Sequence, residues 1–301
     1  MDKAKSSLSL SCIGAGRAGK TLCKLLAEQH SEVEVSIRQV INRSLESATE
    51  AVSFIGQGEP QAGIENLLAA DIWLIATPDD EIGAVSEQLS QSGVLRSGDI
   101  VFHCSGSLSS EIISLSAEDI YRASVHPIHS FANPQNSLTG FSGSACAVEG
   151  DQSARDILSG LFSAIGGKCF ALAADKKALY HAATVMACNN LISLLSLSQQ
   201  MLEAADIDDA ESLLQPLIEN SLHNYFRSGA VGALTGPISR GDSKTVETHI
   251  ESLKAHPHWQ KIYSSLGEIA VSLSAQQGFT SDKQLETISS LLARANNHEQ
   301  N

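Results

Sequence analysis

Short apolar runs alternate with segments of helical apolar spacing through the first half of the chain. The apolar runs predict β-strands at residues 8–13, 33–42, 71–77, 99–104, 121–126, 145–149 and 168–172, with another near residues 62–64. The segments between them predict helices at residues 20–29, 45–54, 81–89, 108–115 and 152–165. Because alternating strands and helices build parallel pairs through right-handed crossovers, we expect an α/β fold with a doubly wound, mostly parallel sheet.

The pattern changes near residue 174. Strand-like runs give way to long segments with apolar residues at helical spacing, which predict helices at about residues 175–204, 208–227, 242–255, 258–277 and 282–295. Asp175, Asp242 and Ser281 precede three of these segments and suit helix N-caps. The sequence therefore predicts two domains, an α/β domain over residues 1–173 and an all-α domain over residues 174–301.

A glycine-rich turn joins the first predicted strand to the first predicted helix, with the sequence Gly-Ala-Gly-Arg-Ala-Gly at residues 14–19. Gly14 suits a tight turn, Gly16 allows close approach to a pyrophosphate, and Gly19 allows close packing of helix on strand. Free N–H groups at the helix start, near Arg17 and Ala18, are expected to bind the phosphates. The motif predicts a dinucleotide site, and a purely structural turn is the alternative.

The chain is strongly acidic, with 34 acidic and 20 basic residues and a formal charge of −14. Such a chain repels nucleic acid and anionic lipid unless a basic patch reverses the field, and no lysine or arginine run supplies one. We therefore expect neither a nucleic-acid partner nor a membrane partner. A cofactor with several phosphates would need locally placed cations, and Arg17 and Arg43 are the candidates near the glycine turn.

The six cysteines show no C-x-x-C or C-x-x-H spacing and lie mainly in apolar segments, so we expect buried thiols and no metal site. No stretch approaches the roughly 18 apolar residues that span a bilayer. The first residues also lack the apolar core of a signal peptide. These features favour a cytoplasmic protein with reduced thiols.

The end of the second predicted strand bears on the choice of cofactor. NAD-selective proteins usually place an acidic residue there to bind the ribose 2′-hydroxyl, but this chain has Asn42, Arg43 and Ser44. A guanidinium and a neighbouring hydroxyl suit a 2′-phosphate, so the segment predicts NADP, with Asn42 lining the same turn. The alternative is that Arg43 is an ordinary arginine of a solvent-facing loop.

Three strand ends meet at the edge of the predicted sheet where a cofactor binds. Thr77 and Pro78 are expected near the nicotinamide ribose, and Ser105 and Gly106 near the ring or the substrate. His126 follows the sixth strand, where its imidazole could donate a proton or orient a carbonyl. Ordinary turn chemistry, or a hydrogen-bonded structural histidine, is the alternative at each position.

A polar stripe runs along the helix that begins near residue 175. Lys177, His181, Thr184 and Cys188 follow at spacings of four, three and four, which places them on one face of an otherwise apolar helix. With the sheet domain opposite, Lys177 or His181 could protonate the atom that gains charge after hydride transfer. The alternative is a solvated Lys177 and a His181 that is satisfied between the domains.

The motifs at residues 14–19, 42–44, 76–79, 103–106 and 235–242 together resemble a family that combines a Rossmann-like domain with a C-terminal helical domain of the DUF2520 type. The likeness covers nearly the whole chain. The layout is also distantly similar to pyrroline-5-carboxylate reductase, ketopantoate reductase and the wider 6-phosphogluconate dehydrogenase-like group. The resemblance implies NADP-linked reduction of an imine, ketone or related carbonyl in a homodimer.

Two departures from those relatives bear on the substrate. Ketopantoate reductases use a lysine and an asparagine one helical turn apart, whereas here Lys177 matches the first and His181 stands at the second. The serine- and threonine-rich helix of pyrroline-5-carboxylate reductase is not evident. Neither ketopantoate nor a proline precursor is therefore assigned as the substrate.

The sequence as a whole predicts an oxidoreductase with NADP as cofactor. A small carbonyl or imine would bind in the cleft between the two domains, and the nicotinamide would carry the redox chemistry. The alternative is a non-catalytic NADP sensor, in which the dinucleotide closes the domains and changes a partner surface.

Overall fold

The computed structural model describes residues 6–115 and 119–296. Its contacts divide the chain into two compact units, Met1–Cys188 and Asn189–Asn301. Residues 174–188, which the sequence assigns to the helical domain, thus pack with the sheet.

One eight-stranded sheet organises the first unit. Its strands are β1 (Ser6–Ile13), β2 (Val33–Asn42), β3 (Glu59–Ala62), β4 (Ile72–Ile75), β5 (Ile100–His103), β6 (Tyr121–Pro127), β7 (Ala145–Gly150) and β8 (Lys168–Ala171). They lie in the order β3-β2-β1-β4-β5-β6-β7-β8. Every pair is parallel except β6 and β7, which are antiparallel. The doubly wound, mostly parallel sheet is confirmed.

Helices cover both faces of this sheet. They are α1 (Arg17–Glu28), α2 (Leu45–Ile55), α3 (Ile82–Gln91) and α5 (Gln152–Ala164), while α4 (Pro134–Gly140) packs on α1 and α6 (Lys177–Val185) is largely exposed. One face packs Leu10 and Phe102 against the helices, and the other packs Trp73 and Val101. β4 and β5 are buried along their whole length, which explains why all their residues except His103 are apolar.

The predicted helix at residues 108–115 is wrong, because the structure has only a short 3₁₀ turn at Ser110–Ile112. The Ser114 amide, which would donate to the Ser110 carbonyl in a helix, instead donates to a side-chain oxygen. The N–H groups of Leu108, Ser110 and Ser114 donate to side-chain oxygens of Ser105, Glu149 and Ser86 at 3.0, 2.6 and 3.0 Å.

Two smaller differences concern α4 and β3. The sequence analysis did not predict α4, although Pro134 at its first turn and the Asn133 side chain, which accepts from two backbone amides, are ordinary start signals. The strand expected near residues 62–64 lies at Glu59–Ala62.

The second unit is helical throughout its described residues, as predicted. Its helices are α7 (Leu191–Glu203), α8 (Ala210–Ala233), α9 (Ser243–Ser252), α10 (Pro257–Gln277) and α11 (Asp282–Asn296). Asp242 caps α9 by accepting from the Thr245 amide at 3.1 Å, as the sequence predicted. Asp175 does not act as a cap, because it lies inside the 3₁₀ turn Ala174–Lys176.

The helical run Ala174–Glu203 is apolar enough and long enough, by those criteria alone, to cross a membrane. Its most apolar 18-residue window has a mean hydropathy of 1.2, and none of that window is buried. The count of consecutive apolar residues predicts no such segment. Exposed apolar residues on this run include Leu179, Met186 and Ile192.

Candidate functional site

A cavity of about 540 Å³ opens where the strand order reverses, between β1 and β4. Open parallel sheets bind ligands at this point because the crossovers leave in opposite directions there. The cavity is lined by residues 13–16 after β1, 41–43 after β2, 63–65 after β3 and 76–78 after β4. All of these residues belong to the first unit.

The three glycines of the turn meet three different environments. Gly14 has φ +88°, and a Cβ there would lie 2.7 Å from the Thr77 backbone nitrogen. A Cβ on Gly19 would lie 2.8 Å from the Gly14 carbonyl oxygen, because helix and strand pack closely. A Cβ on Gly16 would meet nothing within 4 Å, and Gly16 lines the cavity. The second glycine is therefore the one that leaves room for a ligand, as the dinucleotide fingerprint requires.

Hydrogen bonds hold this turn in place. The Asn42 side chain accepts from the Ala15 amide at 2.7 Å, and the Gly14 amide donates to the Ile41 carbonyl at 2.8 Å. The amides of residues 17–19 have no acceptor in the described part of the chain, so they remain available to an anion. Asn42 thus lines the turn that the sequence predicted, and its side-chain oxygen is hydrogen-bonded to the Ala15 amide.

Two cations border the cavity. Arg43 is exposed, and its guanidinium has no hydrogen-bond or ion-pair partner among the described residues. Lys20, which the sequence analysis missed, lies with its ammonium 5.3 Å from the centre of the Phe54 ring. The missed signal was the position of Lys20 in the first turn of α1. Three carboxylates, of Glu50, Glu65 and Glu81, also line the cavity.

Only some of the other residues predicted to bind the cofactor line the cavity. Thr77 and Pro78 line the cavity, and Thr77 Oγ1 is a buried oxygen without a hydrogen-bond partner in the described residues. Arg17 points elsewhere, because its guanidinium donates to the Ala132 carbonyl at 3.4 Å. Ser44 is the N-cap of α2, accepting from the Ser47 amide at 3.2 Å, and Ser47 lines the cavity in its place.

A second group of polar residues gathers around Gly106, after β5. A Cβ at this glycine would overlap His181 Nδ1 and lie 2.8 Å from His126 Nε2, so both ring nitrogens lie close to the Gly106 backbone. We call this group of Gly106, His126 and His181 the Gly106 notch. The other nitrogen of His126, Nδ1, lies 2.8 Å from the Tyr180 hydroxyl. The structure thus brings His126 and Gly106, two of the predicted strand-end residues, together with His181 of the predicted helical stripe, and adds Tyr180.

Burial controls the charge of this group. It lowers the pKa of His126 to about 4, and the neighbouring charges of His181 and Lys177 act in the same direction. Burial also raises the pKa of Tyr180 to about 12. At neutral pH His126 is therefore an uncharged imidazole and Tyr180 a protonated phenol. Such an imidazole can hydrogen-bond a substrate atom through N–H but does not act as an imidazolium acid.

Lys177 is buried rather than solvated, with 1% of its surface exposed. Its ammonium donates to the Ser105 carbonyl at 3.0 Å and to Ser124 Oγ at 2.6 Å, and it lies 3.9 Å from the Glu149 carboxylate. Burial lowers its pKa, while Glu149 opposes that shift. Because Ser105 precedes the notch and Ser124 lies two residues before His126, Lys177 fixes the two segments that carry the site.

Two further groups support the same loop. His103 is fully buried: its Nδ1 accepts from the Ser105 amide at 3.1 Å and its Nε2 donates to the Ser109 carbonyl at 3.2 Å, a pattern that requires the neutral ring. Burial accordingly lowers the pKa of His103 to about 4. Ser105 Oγ donates to the Asp79 carboxylate at 2.6 Å, which ties the end of β5 to the segment after β4. Ser105 itself does not line the large cavity.

The sequence carried signals for two of the missed residues. Tyr180 follows Lys177 by three positions on α6, so it belongs to the same helical stripe. Glu149 is a carboxylate within an apolar strand, and a buried charge in such a position requires a partner. Three groups surround the Glu149 carboxylate: the amide and the hydroxyl of Ser110, which both donate to it, and the ammonium of Lys177.

This architecture defines the Rossmann class of dinucleotide-binding proteins, with a glycine turn at the point where the strand order reverses. Family comparison agrees and is more specific. Residues 1–127 match the Rossmann-like domain family, and residues 144–270 match DUF2520, a domain of unknown function. The chain therefore combines a Rossmann-like domain with a DUF2520 domain, as its motifs predicted.

Solved structures share this fold over most of the chain. Protein TM1727 from Thermotoga maritima is 26% identical, with a TM-score of 0.71, 89% of this chain covered and 99% of that one. BF3122 from Bacteroides fragilis, provisionally described as an NADP oxidoreductase, is 19% identical, with a TM-score of 0.69 and coverages of 90% and 98%. A 1-pyrroline-5-carboxylate reductase from Streptococcus pyogenes is 14% identical, with a TM-score of 0.59 and coverages of 94% and 99%.

The comparison with curated proteins found no match. Several of the matching solved structures are nonetheless described as oxidoreductases or as complexes with NAD. The chain shares the fold of these proteins.

Proposed function

We propose that this chain is an NADP-dependent oxidoreductase that reduces a small carbonyl or imine substrate. The observation that carries the proposal is the cavity at the end of β1, where Gly16 leaves open space and the unpartnered Arg43 stands at the end of β2. An acidic residue at that place would favour NAD, and none is present at positions 42–44.

The residues of the cavity fit the dinucleotide part by part. The free amides of residues 17–19 would hold the diphosphate at the start of α1. Arg43 would bind the 2′-phosphate, with Lys20 adding a second positive charge. Thr77 and Pro78 would line the ribose on the nicotinamide side. When bound, the nicotinamide supplies the hydride.

The substrate side of the proposal rests on the Gly106 notch. Uncharged His126 would donate a hydrogen bond to the reacting oxygen or nitrogen, with His181 as the second contact, and so orient and polarise it. Lys177 is assigned a positioning role, because its ammonium is buried and bonded to Ser105 and Ser124. The description of BF3122 as an NADP oxidoreductase and the fold shared with a 1-pyrroline-5-carboxylate reductase support a reduction of this kind.

Calorimetry with NADP and with NAD on the purified full chain tests the cofactor assignment. We expect NADP to bind more tightly than NAD, and no heat with either would refute it. NADPH oxidation should then be followed with 1-pyrroline and with pyruvate as probe substrates. Binding without oxidation of NADPH by any carbonyl or imine would favour the non-catalytic sensor.

Replacing two glycines separately tests whether the open space is the phosphate site. Gly16→Ala adds a methyl group where nothing lies within 4 Å, so we expect an unchanged melting temperature but NADP binding weakened by about tenfold or more. Gly14→Ala is the contrasting control, because its φ of +88° and its contact with Thr77 should destabilise the fold itself. Unchanged NADP binding by Gly16→Ala would place the diphosphate elsewhere.

We also propose that the chain forms a homodimer through its helical run. Exposed apolar side chains support a protein partner there, namely Leu179 (75%), Met186 (57%) and Ile192 (65%). Sedimentation should give twice the chain mass of 31.8 kDa. Leu179→Glu should shift the protein towards monomer, and a monomeric wild type would contradict the proposal.

A further inference from the structure

The Gly106 notch presents two nitrogens of different histidines to a single point. His126 comes from β6 and His181 from α6, and the lack of a side chain at residue 106 is what lets both nitrogens come this close to its backbone. The two rings meet edge to face, with centres 5.3 Å apart. A side chain at residue 106 would displace at least one of the two rings, so glycine is required here for both nitrogens to lie this close to the backbone.

What the notch offers a substrate depends on which nitrogen of His126 carries the proton. A neutral imidazole has one N–H, and its position is set by the hydrogen bond at the other nitrogen. At His126 the other nitrogen is Nδ1, which lies 2.8 Å from the Tyr180 hydroxyl. Tyr180 therefore controls whether Nε2 donates or accepts.

The surroundings of Tyr180 favour donation from its hydroxyl to Nδ1. The side chain is half-buried, with its ring against those of His126 and Phe170. In the described chain the hydroxyl has no hydrogen-bond partner other than His126 Nδ1. If Nδ1 carried the proton, the phenolic proton would have no acceptor in the protein, which is costly for a half-buried group.

We propose that Tyr180 is a positioning residue that holds His126 with its proton on Nε2, so that the Gly106 notch offers an N–H donor beside His181 Nδ1. This inference deepens the proposed function and rests on it for the identity of the bound atom, a carbonyl oxygen or imine nitrogen. The tautomer itself is a property of the protein alone. Tyr180 does not touch the substrate.

NMR of the full chain labelled with ¹⁵N-histidine tests the proposal, because the two ring nitrogens of each tautomer have distinct shifts. The His126 signals are assigned by their loss in His126→Asn. In the wild type at neutral pH we expect the Nε2–H tautomer to dominate at His126. In Tyr180→Phe the ratio of the two tautomers should fall by about fivefold, the factor expected for loss of one ordinary hydrogen bond.

The chain offers a matched control in a second pair of the same kind. His249 Nδ1 lies 2.9 Å from the Tyr263 hydroxyl, so Tyr263→Phe should change the His249 signals and leave those of His126 unaltered. An Nδ1–H tautomer at His126 in the wild type would overturn the proposal, as would a tautomer ratio unaffected by Tyr180→Phe. Neither result depends on NADP, whose binding is tested separately by calorimetry.

Discussion

Replacing Lys177 with methionine is expected to lower the free energy of unfolding by about 3–5 kcal/mol, the range measured when one partner of a buried ion pair is removed. Methionine keeps the length of the side chain, so little of the loss comes from a cavity. The loss arises because Glu149 stays buried without its cation and Ser124 loses a 2.6 Å hydrogen bond. Urea unfolding followed by circular dichroism measures it.

A double-mutant cycle separates the ion pair from the other contacts of Lys177. Glu149→Gln keeps an acceptor for the Ser110 amide, which donates to Glu149 at 2.6 Å in the wild type. The double variant Glu149→Gln/Lys177→Met should therefore be less destabilised than the sum of the single variants, because no uncompensated charge remains. Additive effects would show that the 3.9 Å separation is too long for a significant interaction.

The second large effect is expected at Arg43. Replacing it with alanine should weaken NADP binding by about 10- to 100-fold, because hydrogen bonds to charged groups contribute about 1.5–3 kcal/mol. NAD lacks the 2′-phosphate, so its affinity should change by less than about threefold. Calorimetry with both dinucleotides measures the two values on the same preparation.

Arg38 provides a matched control for this prediction. It lies on the same strand, β2, and is exposed, but it does not line the cavity. Arg38→Ala removes the same charge from the chain, so any long-range effect of net charge should appear in both variants. Equal losses for NADP and NAD in Arg43→Ala, or equal effects of the two substitutions, would contradict the assignment of a 2′-phosphate site.

Much of the sheet could be predicted because its central strands are buried on both faces. β4 is an uninterrupted apolar run, β5 has three apolar residues before His103, and the glycine turn fixes where β1 ends. The reversed direction of β7 could not be predicted in this way. A buried strand has the same apolar composition whether its neighbour is parallel or antiparallel, and the connection through α4 is long enough for either.

The site was predictable only where local sequence determines it. Gly14, Gly16 and Gly19 act through backbone geometry that their own segment sets, so the motif located them. The partners of Lys177 come from other parts of the chain, and only the folded structure shows that Ser124 and Glu149 surround it. A helical stripe predicts that these side chains face something polar, but it does not identify the partner.

The antiparallel step between β6 and β7 has a consequence for how such proteins can diverge. Because Pro127 pairs with Cys146, the chain leaves the sheet and returns to it at one place, on the edge that carries the cavity. Lengthening the exposed part of residues 128–144 would add only the entropy of closing a longer loop, about 0.6 kcal/mol for each doubling. Residues 128–144 can therefore change in length during evolution, and with them the molecules that bind at this edge, while the eight strands keep their register.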